Sequence, residues 1–446
     1  MRLRRAFIAV GLFGVVAAAG ALTYAWEPAI PPVERQAPSS FDPALVRRGA
    51  ELALIGDCRT CHTAPGGQTF AGGLPLPTPF GTLYSTNITP DGETGIGLWS
   101  EAAFSRAMQQ GVDRAGRHLY PAFPYDHYTL TSDADLRALY AFLMSRDPVA
   151  ATAPPNELPF PLNVRLVLAG WKLLFFREGR LEPDPARDET WNRGRYLVEG
   201  LGHCAACHSP RNLAGAEVRS RAYEGGDAEG WHAYALGRAS KAPIPWTEEA
   251  LVQYLAKGHH PDHGVARGPM APVVENLSGV PRADVIAMAR YLVSLGSGQP
   301  GQAREAAPDA PGREPGAGGA LAATPAAVDG RRGASIYAAA CASCHEGGRP
   351  VPFGGIHLSR STGVTGDSPQ NLVNVILQGL PAKEGVARPI MPGFAAVLSD
   401  EQLTDLVTFL RDRFGRKPAW TGIADAIRTA RTDRQAASRA APAMKR

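Results

Sequence analysis

No cysteine is left over for a disulfide: all six in the 446-residue chain fall inside three five-residue motifs. Charge of neither sign is in excess. Lys and Arg number 46 against 42 Asp and Glu, and the net charge of +4 is spread along the chain until an Arg-rich C-terminal tail. That excludes the strongly basic face a nucleic-acid binder needs. Beyond Trp26 there is no long apolar run; Val167 to Phe176 is interrupted by Lys172 and is too short to span a bilayer, which excludes a polytopic bundle. Methionine is scarce, at seven residues. Gly and Pro are plentiful at 49 and 39, which implies many loops, but 44% hydrophobic and 20% charged residues supply enough apolar material for folded cores. At roughly 100–200 residues per domain, the length predicts about three domains.

The three cysteine motifs have one form. They read Cys58-Arg-Thr-Cys61-His62, Cys204-Ala-Ala-Cys207-His208 and Cys341-Ala-Ser-Cys344-His345. Cys-x-x-Cys-His is the attachment signature of c-type haem. Two thiols a helical turn apart form thioethers with the two vinyl groups of one porphyrin, and the adjoining His reaches the iron. A zinc site would need two further ligands per motif from scattered histidines, and a redox dithiol gives no reason for the His. The motifs are spaced evenly (58 to 204, 204 to 341) and consume every cysteine. The expected cofactors are therefore three covalently bound haem c groups, held by Cys58, Cys61, Cys204, Cys207, Cys341 and Cys344, with His62, His208 and His345 on the irons.

Such haem attachment is completed outside the bacterial cytoplasm, so an export signal is expected. Arg2, Arg4 and Arg5 precede an uncharged, mainly apolar stretch from Ala6 to Trp26. It is longer than a usual signal core and close to the roughly 20 residues that span a bilayer. A retained anchor in the inner membrane is the favoured reading, with a signal cleaved after Ala19-Gly20-Ala21 as the alternative. Either places the remainder on the periplasmic side.

Each motif lies between two amphipathic segments. The leading helices are expected at Ala44 to Leu54, Asn192 to Gly200 and Gly330 to Ala339. The closing helices are expected at Asp133 to Leu143, Arg282 to Leu292 and Asp400 to Leu410, where apolar residues recur at helical spacing. An aromatic near the end of each closing helix (Tyr140 or Phe142, Tyr291, Phe409) is placed to pack on a glycine of its leading helix. The expected fold is all-α: three tandem class I cytochrome c-like haem domains after the N-terminal signal or anchor helix. The boundaries are 1–30 for the signal or anchor, 42–147, 188–296 and 328–415 for the haem domains, and 148–187 for a packed interdomain segment. Residues 297–327 read as a flexible Gly/Ala/Pro linker that would let the third domain move. Residues 416–446 read as a basic tail, a solvated or frayed helix or else a contact for a partner or phospholipid.

A six-coordinate electron-transfer haem needs a second axial ligand, and a Met thioether there raises the potential. Met391, 46 residues after His345, and Met270, 62 residues after His208, are the expected ligands. In the first repeat the corresponding residue is Phe123, 61 residues after His62, and a phenyl ring cannot bind iron. Met108, Met144, His118 and His127 are the remaining candidates there, and an open iron is the alternative.

Beyond these motifs, several stretches resemble the tri-haem cytochrome c subunits of bacterial membrane-bound dehydrogenases, over about residues 42 to 415. They are Ser85-Thr-Asn-Ile-Thr-Pro-Asp91 with Gly95-Ile-Gly-Leu-Trp-Ser100, Leu119-Tyr-Pro-Ala-Phe-Pro-Tyr125, Trp191-Asn-Arg-Gly194, Gly202-His-Cys-Ala-Ala-Cys-His-Ser-Pro-Arg-Asn212 and Gly268-Pro-Met-Ala-Pro272. The resemblance implies an electron conduit from a dehydrogenase catalytic subunit to membrane quinone or a terminal acceptor. It implies a catalytic partner that is a molybdenum hydroxylase, favoured by Phe123-Pro-Tyr-Asp-His-Tyr128, Trp171-Lys-Leu-Leu-Phe-Phe176 and Glu229-Gly-Trp-His-Ala-Tyr234, or else a quinoprotein (PQQ) or flavin dehydrogenase. The rival reading is a peroxidase-like haem enzyme with an open site at the first haem. No nucleic-acid partner and no catalytic residue of the chain's own are expected.

Overall fold

The computed structural model describes residues 2–296, 328–349, 354–382 and 388–440. The chain divides into two compact units. The first pentad lies in one, and the second and third pentads share the other, so the three expected repeats fall into two bodies.

The first unit holds α1 (Arg2–Ala25), α2 (Pro43–Ile55), α3 (Cys58–Cys61), the hairpin β1 (Pro75–Thr78) and β2 (Gly81–Tyr84), α4 (Glu101–Gln110), α5 (Tyr125–Tyr128), α6 (Asp133–Met144) and α7 (Val167–Phe175). Side-chain caps start the helices where the sequence offers them: Asp42 for α2, Ser100 for α4 and Ser132 for α6 each accept a backbone N–H of the first turn. Half of the side chains of α1, the expected signal or anchor, lie outside the described residues. Among the described residues no helix is long and apolar enough to cross a membrane. The segment after α6 packs on this unit: Asn87 Nδ2 donates to the Val149 carbonyl, and Thr82 and Glu157 exchange backbone hydrogen bonds.

The second unit holds α8 (Glu189–Tyr196), α9 (Ala205–His208), the hairpin β3 (Gly226–Ala228) and β4 (Trp231–Ala233), α10 (Glu248–Lys257), the short hairpin β5 (His259–His260) and β6 (Gly264–Val265), α11 (Met270–Leu277) and α12 (Arg282–Gly296). It continues with α13 (Val328–Ala340), α14 (Ala342–His345), α15 (Thr362–Thr365), α16 (Gln370–Gln378), α17 (Asp400–Leu410) and α18 (Ile423–Ala440). Ser399 closes a full capping box with Gln402 at the start of α17. The linker expected at 297–327 lies outside the described residues.

The fold is mainly helical, in keeping with the expected cytochrome domains, and among the described residues three short antiparallel hairpins lie between the helices. One expectation is corrected. The chain from Trp420 to Arg431 is not a solvated tail. Trp420, Ile423, Ala426, Ile427 and Ala430 are buried in the core of the third repeat, and Arg431 donates to the Ala395 and Leu398 carbonyls and pairs with Asp400. The spacing of Ile423, Ala426, Ile427 and Ala430 is that of one helix face. Two of the four are alanines, which hid the signal among the arginines.

The leading and closing helices cross at a glycine in every repeat. A methyl on Gly49 would run into the Ala138 carbonyl, on Gly194 into the Ala287 carbonyl, and on Gly333 into the Asp405 carbonyl. The same methyls would touch Phe142, Tyr291 and Phe409 respectively. The expected aromatic-on-glycine contact is therefore present three times, with Phe142 in the role left open between Tyr140 and Phe142. The residue before each glycine is an arginine that clamps the crossing. Arg48 pairs with Asp135, Arg193 with Asp284 and Arg332 with Asp405.

Candidate haem sites

Each pentad folds as one short helical turn that follows its leading helix. The turn directs its two thiols alike: Cys58, Cys204 and Cys341 are half-buried, and Cys61, Cys207 and Cys344 are exposed. None of the six is in a disulfide. Burial pushes the Cys58 and Cys204 thiols up to about 12. Among the described residues no pentad side chain joins a cluster of three metal-ligating groups, so the zinc reading has no geometry behind it.

The histidines carry the decisive repetition. His62 Nδ1 lies 2.6 Å from the Thr86 carbonyl oxygen, His208 Nδ1 lies 2.6 Å from that of Tyr234, and His345 Nδ1 lies 2.8 Å from that of Ile356. A carbonyl only accepts, so Nδ1 carries the proton in each ring, and Nε2 keeps the lone pair for a metal. Burial lowers the His62 and His208 pKa values below the ordinary range, which favours the neutral, ligating form. Three rings with this tautomer, each beside two cysteines that form no disulfide, fit haem c.

The hairpins explain how the carbonyls arrive there. Thr86 follows β2 by two residues, and Tyr234 follows β4 directly. Each of the first two pentads is tied to the chain just before the same hairpin by a second bond: Gly72 N–H donates to the His62 carbonyl and Gly225 N–H to that of His208, both at 2.8 Å. In the third repeat Gly355 N–H donates to the Cys344 carbonyl, and a Cβ on Gly355 would overlap the His345 ring. Neither the carbonyls nor the arginine clamps were legible in the sequence. A backbone oxygen has no side-chain signature, although Arg-Gly recurs in all three leading helices.

Of the methionines, Met270 opens α11 and is half-buried. Met391 exchanges both backbone hydrogen bonds with Leu380 and packs against the third core. Phe123 packs edge-on against Tyr128, with ring centroids 5.2 Å apart, and offers no donor atom. Met108 and Met144 are buried in the core of the first unit. His127 Nδ1 faces the Glu199 carbonyl at 2.8 Å.

His118 is removed from the candidates by its partners. Its Nε2 lies 2.9 Å from the Ala25 carbonyl and its Nδ1 lies 2.9 Å from Lys172 Nζ. Both ring nitrogens are thus engaged, and burial first, then the Lys172 charge, lowers its pKa. A histidine so held can neither bind iron nor shuttle protons, so the haem-enzyme reading loses one of its two proton donors.

The sequence profile of cytochrome C oxidase, cbb3-type, subunit III matches residues 328–410. The gluconate 2-dehydrogenase cytochrome c subunit of Pantoea cypripedii is 39% identical over 407 residues, covering 87% of this chain and 90% of that one. The chain belongs to the cytochrome c subunits of dehydrogenase complexes. The fructose dehydrogenase cytochrome subunit of Gluconobacter japonicus is similar to this cytochrome subunit too, at 35% identity over 88% of this chain and 84% of its own length. A nicotinate dehydrogenase subunit of Pseudomonas putida is 46% identical over 93% of this chain; the cytochrome subunit spans about a third of that protein's length, 34%. Membership implies covalently bound haem c and a role in electron transfer.

Proposed function

We propose that this cytochrome subunit carries three haem c groups and conducts electrons, on the periplasmic side of the inner membrane, from a dehydrogenase catalytic subunit to membrane quinone or another respiratory acceptor. The observation that carries the reading is the threefold recurrence of two cysteines outside any disulfide beside an imidazole whose Nδ1 is fixed on a carbonyl. Haem, when bound, supplies a one-electron iron couple. The chain does the rest. Cys58 and Cys61, Cys204 and Cys207, and Cys341 and Cys344 hold the groups covalently. His62, His208 and His345 present Nε2, and their Nδ1–H bonds to the carbonyls make the imidazoles more basic ligands. Met270 and Met391 offer thioethers that raise two of the potentials. The glycine crossings fix the helices that carry the pentads.

Three tandem haem domains, with the second and third in one compact unit, are the organisation proposed. The apolar stretch of α1 is proposed to deliver the chain through the membrane and to hold it there. As catalytic partner we favour a molybdenum hydroxylase. Its support is the similarity over nearly the whole chain to the nicotinate dehydrogenase protein of Pseudomonas putida, beside the resemblance carried by the Trp171 and Glu229 segments.

Intact mass and haem absorbance of the matured protein test the haem count. Three haems per chain are expected, and Cys204→Ala/Cys207→Ala should leave two; three in that variant would sink the assignment. Affinity purification from membranes with metal analysis tests the partner. Molybdenum should elute with the haem iron, and a flavin or PQQ enzyme without it would replace that choice.

A further inference from the structure

The hairpin β3–β4 carries the Tyr234 carbonyl that receives His208 Nδ1–H, yet each of its strands has only three residues. An isolated hairpin that short is at best marginally stable, so its position is set by what touches it. His232 N–H donates to Asn371 Oδ1 at 2.8 Å, and Asn371 Nδ2 donates to the His232 carbonyl at 2.7 Å. One side-chain amide thereby pairs with both backbone groups of one residue, as a neighbouring strand would. Three residues further along α16, the buried Asn374 donates Nδ2–H to the Gly230 carbonyl at 2.8 Å. The start of β4 meets the other side of the second repeat. The Trp231 ring lies against Gly268, whose φ of +58° and missing Cβ admit the indole two residues before Met270. A single strand thus touches the Met270 loop, leads at its far end to the Tyr234 carbonyl that accepts from His208, and is pinned from α16, which follows the third pentad.

We propose that Asn371 is a positioning residue for the second haem. By holding β4 in place it fixes the hydrogen bond from His208 to the Tyr234 carbonyl, and through it that haem's reduction potential. A strong Nδ1–H bond makes the imidazole a more basic ligand, which favours ferric iron and lowers the potential. Loosening the hairpin weakens the bond and raises the potential. The inference rests on the haem reading of the second pentad. It also means that the third repeat is not freely tethered to the second: a change in α16 is felt at His208.

The test is optical spectroelectrochemistry of the holoprotein, with the second haem identified as the wave missing from Cys204→Ala/Cys207→Ala. In Asn371→Ala the second wave is expected to move to higher potential while the third stays in place, with three haems per chain by mass. Amide hydrogen exchange should quicken over residues 226–234. Asn371→Asp keeps the acceptor for His232 N–H but loses the donor, so a smaller rise is expected; it carries the test if the alanine variant does not mature. A second wave unmoved in the aspartate and alanine variants, or a third wave that moves as far, overturns the proposal. A wild-type mass without haem at Cys204 and Cys207 would instead overturn the haem reading itself.

Discussion

Gly194→Ala adds one methyl to α8 where it crosses α12, and the structure sets its consequence. The new carbon would stand 2.5 Å from the Ala287 carbonyl carbon and 3.0 Å from Tyr291 Cβ. Ordinary carbon contacts lie at about 3.5–4.0 Å, so the helices must part by about an ångström. Both obstacles are backbone or Cβ, and no rotamer change relieves them. Overpacking of this kind costs about 1–3 kcal/mol, and a backbone-to-backbone clash belongs at the upper end. Replacing a helical glycine by alanine returns about 1 kcal/mol of propensity. The net loss is about 2 kcal/mol, or roughly 4–8 °C for a unit of this size. Parting the helices also stretches the Arg193–Asp284 pair, now 2.8 Å. Gly170→Ala in α7 is the matched control, because nothing lies within 4 Å of its added methyl. The same chemical change there should stabilise by up to about 1 kcal/mol. Thermal unfolding of the holoproteins, followed by far-UV and haem circular dichroism, reads both. A Gly194→Ala protein as stable as Gly170→Ala would refute the close crossing.

Met391→Ala should lower one haem potential and give a high-spin ferric signal in electron paramagnetic resonance; an unchanged redox titration would remove Met391 as a ligand. Lys172 gives the pH prediction. Its amine sits between the Gln110 and Gly111 carbonyls and His118, and burial lowers its pKa from 10.5 to about 8. Between those values the unfolded chain binds more protons than the folded one, so the Lys172 contribution to stability rises with pH from about 8 towards 10.5. Urea midpoints at pH 8 and 10 should therefore climb more in the wild type than in Lys172→Met, and equal slopes would refute the burial effect.

The sequence alone determined the attachment chemistry. Cys-x-x-Cys-His is a local motif whose groups act within one helical turn, so spacing states the chemistry without a fold, and its threefold recurrence fixed the repeat. The helices around each pentad were legible for a related reason: apolar residues at Leu136, Leu139, Tyr140 and Leu143 repeat with the helical period. Tertiary structure decided what depends on residues far apart in the chain. The carbonyls at Thr86, Tyr234 and Ile356 that orient the three imidazoles are backbone atoms 11 to 26 residues from their histidines, and any residue type could have supplied them. His118 read as a candidate ligand until Ala25 and Lys172 were seen to occupy both its nitrogens. The C-terminal arginines read as a solvated tail because charge dominates composition, whereas burial is decided by Ile423, Ala426, Ile427 and Ala430, which face the third core. Asn371 has no signature at all, since an amide becomes a substitute strand only when folding sets it against the edge of one.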